Sequence, residues 1–170
     1  SNTTGSYNTA VGRKSLYSNT SGIRNTAVGF CALHSNTTAC HNSAFGYEAL
    51  KENTTGSYNA AFGDGALDAN TTGIHNLGLG GAALSGNTIG SCNTAIGYGS
   101  QQVGTSGSNN TSLGFRAMRC NTTGACNVAL GTTALYSTTS GCYNVAIGRE
   151  AMFCNTTGHS NTAVGYRVMK

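Results

Sequence analysis

The chain has 170 residues, of which 25 are glycine, none is proline or tryptophan, and only 8% are charged. This composition differs from that of an ordinary globular domain and indicates a regular, repetitive structure. The net charge of +4 arises from 9 basic and 5 acidic residues that form no basic stripe, so neither nucleic acid nor an anionic membrane is expected as a partner. No stretch approaches the roughly 18 apolar residues of a membrane span, and membrane insertion is not expected.

A glycine recurs every 17 residues along the chain, beginning at Gly12. Counted from the asparagine four residues earlier, the unit is N-T-A-V-G-Y-x-A-L-x-S-N-T-T-G-x-x, and we number its positions as places 1 to 17. Asn8 is place 1 of the first complete unit, and the unit that begins at Asn161 is completed by residues 1–7. Ten units predict a single repeat domain over residues 1–170. Because the chain begins inside a unit, we expect it to be a segment of a longer fibre.

A unit of 17 residues is too short for two helices, and fixed Gly and Asn with Thr and Val between them disfavour a helix. We therefore predict an all-β fold, a parallel β-solenoid (β-roll) of ten coils. Each coil is expected to contain two short strands, near places 1 to 4 and 8 to 14, with glycine at places 5 and 15 providing bends of positive φ. Equivalent places then stack about 4.8 Å apart, which gives a rod roughly 48 Å long.

Two apolar places are predicted to form the core. Place 4 is apolar in every unit, and place 9 is Leu or Met except at Gln101. Places 3 and 8, which are nearly always Ala, Ser or Gly, would then face the opposite way from the core. A surface lined only by small side chains suggests close approach of another chain. Because each coil buries too little apolar surface to stabilise itself, we expect a homo-oligomer, either a trimer or an end-to-end filament in which Lys170 continues into Ser1 of the next copy.

Asparagine is fixed at place 1, which predicts a ladder of amides bonded above and below, as in cross-β assemblies. Its members are Asn8, Asn25, Asn42, Asn59, Asn76, Asn93, Asn110, Asn127, Asn144 and Asn161. Place 12 begins N-x-[ST] sequons, which are candidate glycosylation sites, although glycans on adjacent rungs would collide. We interpret these sequons mainly as products of an Asn-Thr-Thr-Gly turn, and the Thr row at places 13 and 14 also permits O-linked sugars. The sequons at place 12 begin at Asn2, Asn19, Asn36, Asn53, Asn70, Asn121 and Asn155, and others begin at Asn109 and Asn110.

The seven cysteines lie on variable places. Neighbouring coils are close enough for disulfides, and Cys126 with Cys142 of the next coil is the best candidate pair. An odd number leaves at least one cysteine free or bonded between chains, and together with a fibre this favours an oxidising exterior. Unpaired surface thiols are the alternative.

The repeated pattern N-T-A-[VIFL]-G-Y-x-A-L-x-S-N-T-T-G covers all 170 residues. It resembles the tandem repeats of long surface and tail-fibre-like proteins, and is more distantly similar to the head repeats of trimeric autotransporter adhesins. The resemblance implies a left-handed parallel β-roll, trimeric assembly, and a role in attachment or as a spacer on a cell surface or virion fibre. Host or surface glycans are the partners it suggests. The unit here is longer than the adhesin head repeat, and no individual binding residue can be carried over.

Catalytic and metal chemistry find no support in the sequence. The five acidic residues and the four histidines do not line one place, and no coil carries an insertion. Without a paired acid and base we expect no enzyme and no cofactor. A calcium site would need acidic residues in the glycine turns, which carry none. A zinc site would need a C-x₂-C pattern, which is also absent.

Ice binding is the alternative function, because flat Thr ladders on β-solenoids contact ice in several proteins. That arrangement needs two outward Thr rows two residues apart, whereas here Thr is constant only at place 13. We therefore expect a structural component of an extracellular fibre, surface filament or adhesin or tail-fibre shaft that assembles by self-association.

Overall fold

The structure, a computed structural model, describes residues 2–170 and confirms the all-β parallel solenoid. Each coil contains one strand of three residues, at places 2 to 4. The strands form one ten-stranded sheet in chain order, parallel and in register, so each residue pairs with the one 17 positions later. They are β1 (Thr9–Val11), β2 (Thr26–Val28), β3 (Ser43–Phe45), β4 (Ala60–Phe62), β5 (Leu77–Leu79), β6 (Thr94–Ile96), β7 (Thr111–Leu113), β8 (Val128–Leu130), β9 (Val145–Ile147) and β10 (Thr162–Val164).

The second strand predicted over places 8 to 14 does not form, because this part of each coil is a series of turns. Within the coil, the N–H of Asn36 donates to the carbonyl of Leu33 at 3.3 Å. Between coils, the N–H of Leu33 donates to the carbonyl of Ala49 at 3.0 Å. The coils are thus joined by backbone hydrogen bonds outside the sheet as well as within it.

Left-handed backbone explains why these turns replace a strand. Places 7, 9 and 17 have φ between 48° and 61° even where the residue is not glycine, as at Leu33 with 51°. The glycine at place 5 has φ of 120° to 143°, a region open only to glycine, so the bend expected there is confirmed. The glycine at place 15 has no positive φ, contrary to expectation. At most of these glycines a Cβ would collide with the next coil, as at Gly107 against the carbonyl of Gly124, although one coil accommodates Ala39 at this place.

The apolar core lies at places 3, 8 and 9, so the predicted pairing of places 4 and 9 is wrong. In the inner coils the alanines of places 3 and 8 and the leucines of place 9, such as Ala44, Ala49 and Leu50, have no exposed surface, whereas Ala10 in the first strand is exposed. Place 4 points outward, with Phe45 37% and Leu113 48% exposed. Only the middle residue of a three-residue strand faces inward. Places 3 and 8 therefore cannot contact another chain.

Two columns of buried asparagine complete the interior. At place 1, the backbone N–H of Asn25 donates to Oδ1 of Asn8 at 2.9 Å, and its Nδ2 donates to the carbonyl of Ala39 at 2.8 Å. The ladder at this place thus uses the main-chain N–H as the donor to each preceding amide oxygen, and in the later coils the side-chain amide donates to it as well, as from Asn110 Nδ2 to Asn93 Oδ1 at 3.2 Å. Place 12 forms a second ladder between side-chain amides alone, as from Asn36 Nδ2 to Asn19 Oδ1 at 2.8 Å. The sequence had indicated a turn at place 12 rather than this second ladder.

Candidate interaction surfaces

Charge divides the surface of the rod into sides. Thirteen of the 14 charged residues lie at places 6, 7, 10 and 11, and the other, Arg24, lies at place 17. We call the exposed side chains of places 6, 7, 10 and 11 the charged side. The outward side chains of places 2 and 4 are the sheet face, and those of places 13, 14 and 16 are the hydroxyl face. The rod therefore has one charged and two uncharged surfaces.

The sheet face is an uncharged stripe along the whole rod. Because β1 to β10 are in register, places 2 and 4 each form a row with rungs about 4.8 Å apart, and the two rows lie about 7 Å apart. Place 4 is apolar in every strand, and Val11 at this place is 56% exposed. The rings of Phe45 and Phe62 stack with their centroids 5.0 Å apart, so the apolar row keeps the rung spacing at these two coils. The sequence had indicated this apolar row but not its exposure.

The hydroxyl face contains the constant Thr row, but the hydroxyls of place 13 have a structural role. Thr88 Oγ1 donates to the carbonyl of Thr105 in the next coil at 2.8 Å, and the pattern recurs along the rod. Place 14 is Thr or Ser in every unit except at Ile89, and most of its side chains are exposed. The ice-binding arrangement considered for place 13 thus loses the free hydroxyl row that it would need.

Stacked rings and cations cover part of the remaining surface. At place 17, Tyr58 stacks between His41 and His75, with ring centroids 4.7 and 4.9 Å away. Arg24 Nη1 lies 3.3 Å from Nε2 of His41. Because the faces of the Tyr58 ring are covered by the two histidines, this ring presents an edge rather than a flat platform to a sugar. Other stacked pairs are Tyr17–His34, Phe30–Tyr47, Tyr98–Phe115 and Tyr136–Phe153.

The acidic residues form ion pairs or lie isolated. Arg167 Nε donates to Glu150 Oε2 at 2.6 Å, and this hydrogen bond lowers the pKa of Glu150 and raises that of Arg167. A bond to Glu48 likewise raises the pKa of Lys51. Burial raises the pKa of Asp68, whose Oδ1 has no hydrogen-bond partner. None of these interactions places a base beside a nucleophile.

Larger functional sites are not found in the part of the chain that the structure describes. Over residues 2–170, His, Cys, Asp and Glu form no group that could hold a metal ion, and the coils enclose no pocket. Within the same range no helix could cross a membrane.

The candidate glycosylation sites differ in access. A glycan on a fully buried ladder amide would break its hydrogen bonds, so modification there is incompatible with the folded coil. Asn2 is exposed and Asn155 is half-buried, which leaves these two accessible among the candidates at place 12. The buried candidates are Asn19, Asn36, Asn53, Asn70 and Asn121.

All seven cysteines are thiols in the described residues, so the disulfide predicted between Cys126 and Cys142 is not formed. Instead, Cys142 Sγ accepts the backbone N–H of Ala125 at 3.3 Å. It thereby takes the place of the serine hydroxyls that accept the same N–H in other coils, as Ser91 Oγ does from Ile74 at 3.1 Å. The sulfur of Cys142 is thus hydrogen-bonded to a place-16 residue of the preceding coil, whereas Cys126 lies in the row of place 17.

No family model, curated protein or solved structure matches the chain. The function is therefore inferred from the surfaces of the rod.

Proposed function

We propose that this chain is a structural segment of an extracellular fibre, such as a surface filament or an adhesin or tail-fibre shaft, that assembles with copies of itself. The observation that supports this best is the stacking of ten coils in register, without an inserted loop. Such a rod spans distance at roughly 4.8 Å per coil. Its function is that of a spacer and an attachment surface.

The hydrogen bonds between coils support a mechanical role. Besides the parallel strands, neighbouring coils are joined by backbone bonds at the turns, by two asparagine ladders and by the hydroxyls of place 13. Repeat proteins gain stability from such interfaces between neighbours rather than from one large core. A rod that is bonded along its whole length leaves few loops for proteases.

Electron microscopy combined with sedimentation tests the proposal. We expect elongated particles with a repeat near 4.8 Å along the axis, and an average mass that rises with protein concentration. Compact particles that remain monomeric at every concentration would contradict a self-associating fibre.

Ice binding is a second candidate, supported by one observation. The sheet face is uncharged, and five of its ten place-2 residues are outward threonines beside the apolar row. Thermal hysteresis and inhibition of ice recrystallisation test this function. Activity that Thr111→Lys removes while the oligomeric state stays unchanged would favour it over the fibre.

A further inference from the structure

We propose that the sheet face is the contact surface between copies of this chain, with two sheets packed face to face. The inference rests on the self-association proposed above and adds the surface through which it occurs. This surface differs from the small residues of places 3 and 8 that the sequence suggested, since those are buried.

The distribution of charge favours this face. None of the twenty residues at places 2 and 4 is charged, whereas the chain as a whole has a net charge of +4. Two copies can therefore approach through their sheet faces without bringing like charges together. The hydroxyl face is also uncharged, but it carries mainly hydroxyl groups, which lose their hydration on contact. The apolar row of place 4 makes burial more favourable on the sheet face.

The periodic side-chain rows of the sheet face favour a second copy of the chain as the partner. Its side-chain rows repeat every ~4.8 Å for ten rungs, and another chain of the same repeat offers the same spacing over the same length. Two sheets pack about 10 Å apart when their side chains interdigitate. The ring centroids of Tyr136 and Phe153, which are one coil apart, lie 5.0 Å from each other, close to the spacing of the rungs. Rows of matched spacing allow the side chains of two such faces to interdigitate.

The area of the face predicts a reversible association. A stripe roughly 10 Å wide and 48 Å long buries roughly 480 Å² on each chain, and thus roughly 960 Å² in a pair. A specific interface needs about 1,000 Å² in total. Ten coils therefore lie at the lower limit of a stable pair, and each further coil would add about a tenth to the contact.

The test compares two isoleucine-to-lysine variants. Ile96 lies at place 4 in β6, in the middle of the sheet face, whereas Ile89 lies at place 14 on the hydroxyl face and is 57% exposed. Sedimentation over a range of concentrations should show association weakened about 100-fold by Ile96→Lys, because an unpaired ammonium would be buried in the contact. Ile89→Lys should associate like the wild type. Thr111→Lys changes an exposed polar residue of the same face and keeps the test valid if Ile96→Lys fails to fold.

The outcomes separate this inference from the proposed function. If the wild type associates and Ile96→Lys and Thr111→Lys do so equally well, the contact lies on another surface and the fibre proposal stands. If Ile89→Lys alone prevents association, the hydroxyl face is the contact. A wild type that stays monomeric at every concentration would overturn both proposals.

Discussion

Replacement of Gln101 by leucine should stabilise the rod. Gln101 is the polar exception at place 9; it is fully buried, and neither polar atom of its amide has a hydrogen-bond partner. It lies between the two clusters of buried apolar residues, of which one extends to Ala95 and the other begins at Ala117. Leucine at this place would join them into one continuous core.

The magnitude follows from two contributions. A buried polar group without a partner costs roughly 1–3 kcal/mol, and a buried leucine contributes roughly 1.5–3 kcal/mol, part of which the methylene groups of glutamine already supply. We therefore expect Gln101→Leu to raise the free energy of unfolding by about 2–4 kcal/mol. For a chain of this size, that corresponds to a rise in Tm of about 4–16 °C.

Thermal and denaturant unfolding measure the effect, and the neighbouring residue provides a matched control. Gln102 is half-buried and its Oε1 accepts a hydrogen bond from Arg119 Nε at 2.9 Å. Gln102→Leu removes this bond and should give no gain in stability. Because solenoids can open locally, hydrogen exchange of the amides in this coil should slow in Gln101→Leu alone. Unchanged or lower stability of Gln101→Leu would refute the idea of a polar defect in the core.

Three further predictions concern the ladders and the ion pairs. In the Gln101→Leu background, Gly104→Asn would give the unpartnered oxygen of the preceding coil a donor, but its Cβ would lie 2.9 Å from the carbonyl oxygen of Asn121. Denaturation should therefore show a net gain in the free energy of unfolding below about 1 kcal/mol. In the wild type, where the Gln101 side chain leans toward this space, the gain should be smaller still. Asn53→Ala should lower the free energy of unfolding by about 2–4 kcal/mol, because it leaves its buried ladder partners without a hydrogen bond. Asn155 lies at the same place without a ladder partner, so Asn155→Ala should lower the free energy of unfolding by less than about 1 kcal/mol. The ion pair lowers the pKa of Glu150, so this carboxylate stabilises the fold at pH values above its unfolded pKa, and the contribution is lost as the pH falls through the lower folded pKa. In Glu150→Gln the Tm should therefore fall less steeply on acidification than in the wild type. An unchanged pH dependence of Tm would contradict this role.

The repeat length fixed much of the fold in advance. A 17-residue period without a slip is compatible with one coil per unit, and the structure has one strand in each. The bend at Gly12 and its equivalents was also predictable, since a constant glycine marks a backbone position closed to other residues. The turns at places 7 and 9 were not predictable, because left-handed backbone occurs there at residues such as Leu33 that normally avoid it.

The core was misassigned for a physical reason. Apolar character usually marks the inside, so the row that includes Phe45 was placed there, and the alanines of place 3 were placed outside. The interior of so narrow a coil has little room beside leucine, and even at Gly78 an added Cβ would lie 3.4 Å from Leu67 Cγ. Constant small size, rather than hydrophobicity, was the signal of burial. The asparagines of place 12 were likewise interpreted as turn residues, although the amides from Asn2 to Asn87 form a ladder.

The asparagine ladders also give the rod a direction. At place 1 each backbone N–H donates to the amide oxygen of the preceding coil, and at place 12 the Nδ2 groups do the same between Asn2 and Asn87, as from Asn53 to Asn36 at 3.1 Å. The amide oxygens of a completed coil therefore face the coil that follows it in the chain. A coil added at the carboxyl-terminal end of the rod therefore finds ladder acceptors already in position, whereas a coil added at the amino-terminal end finds ladder donors.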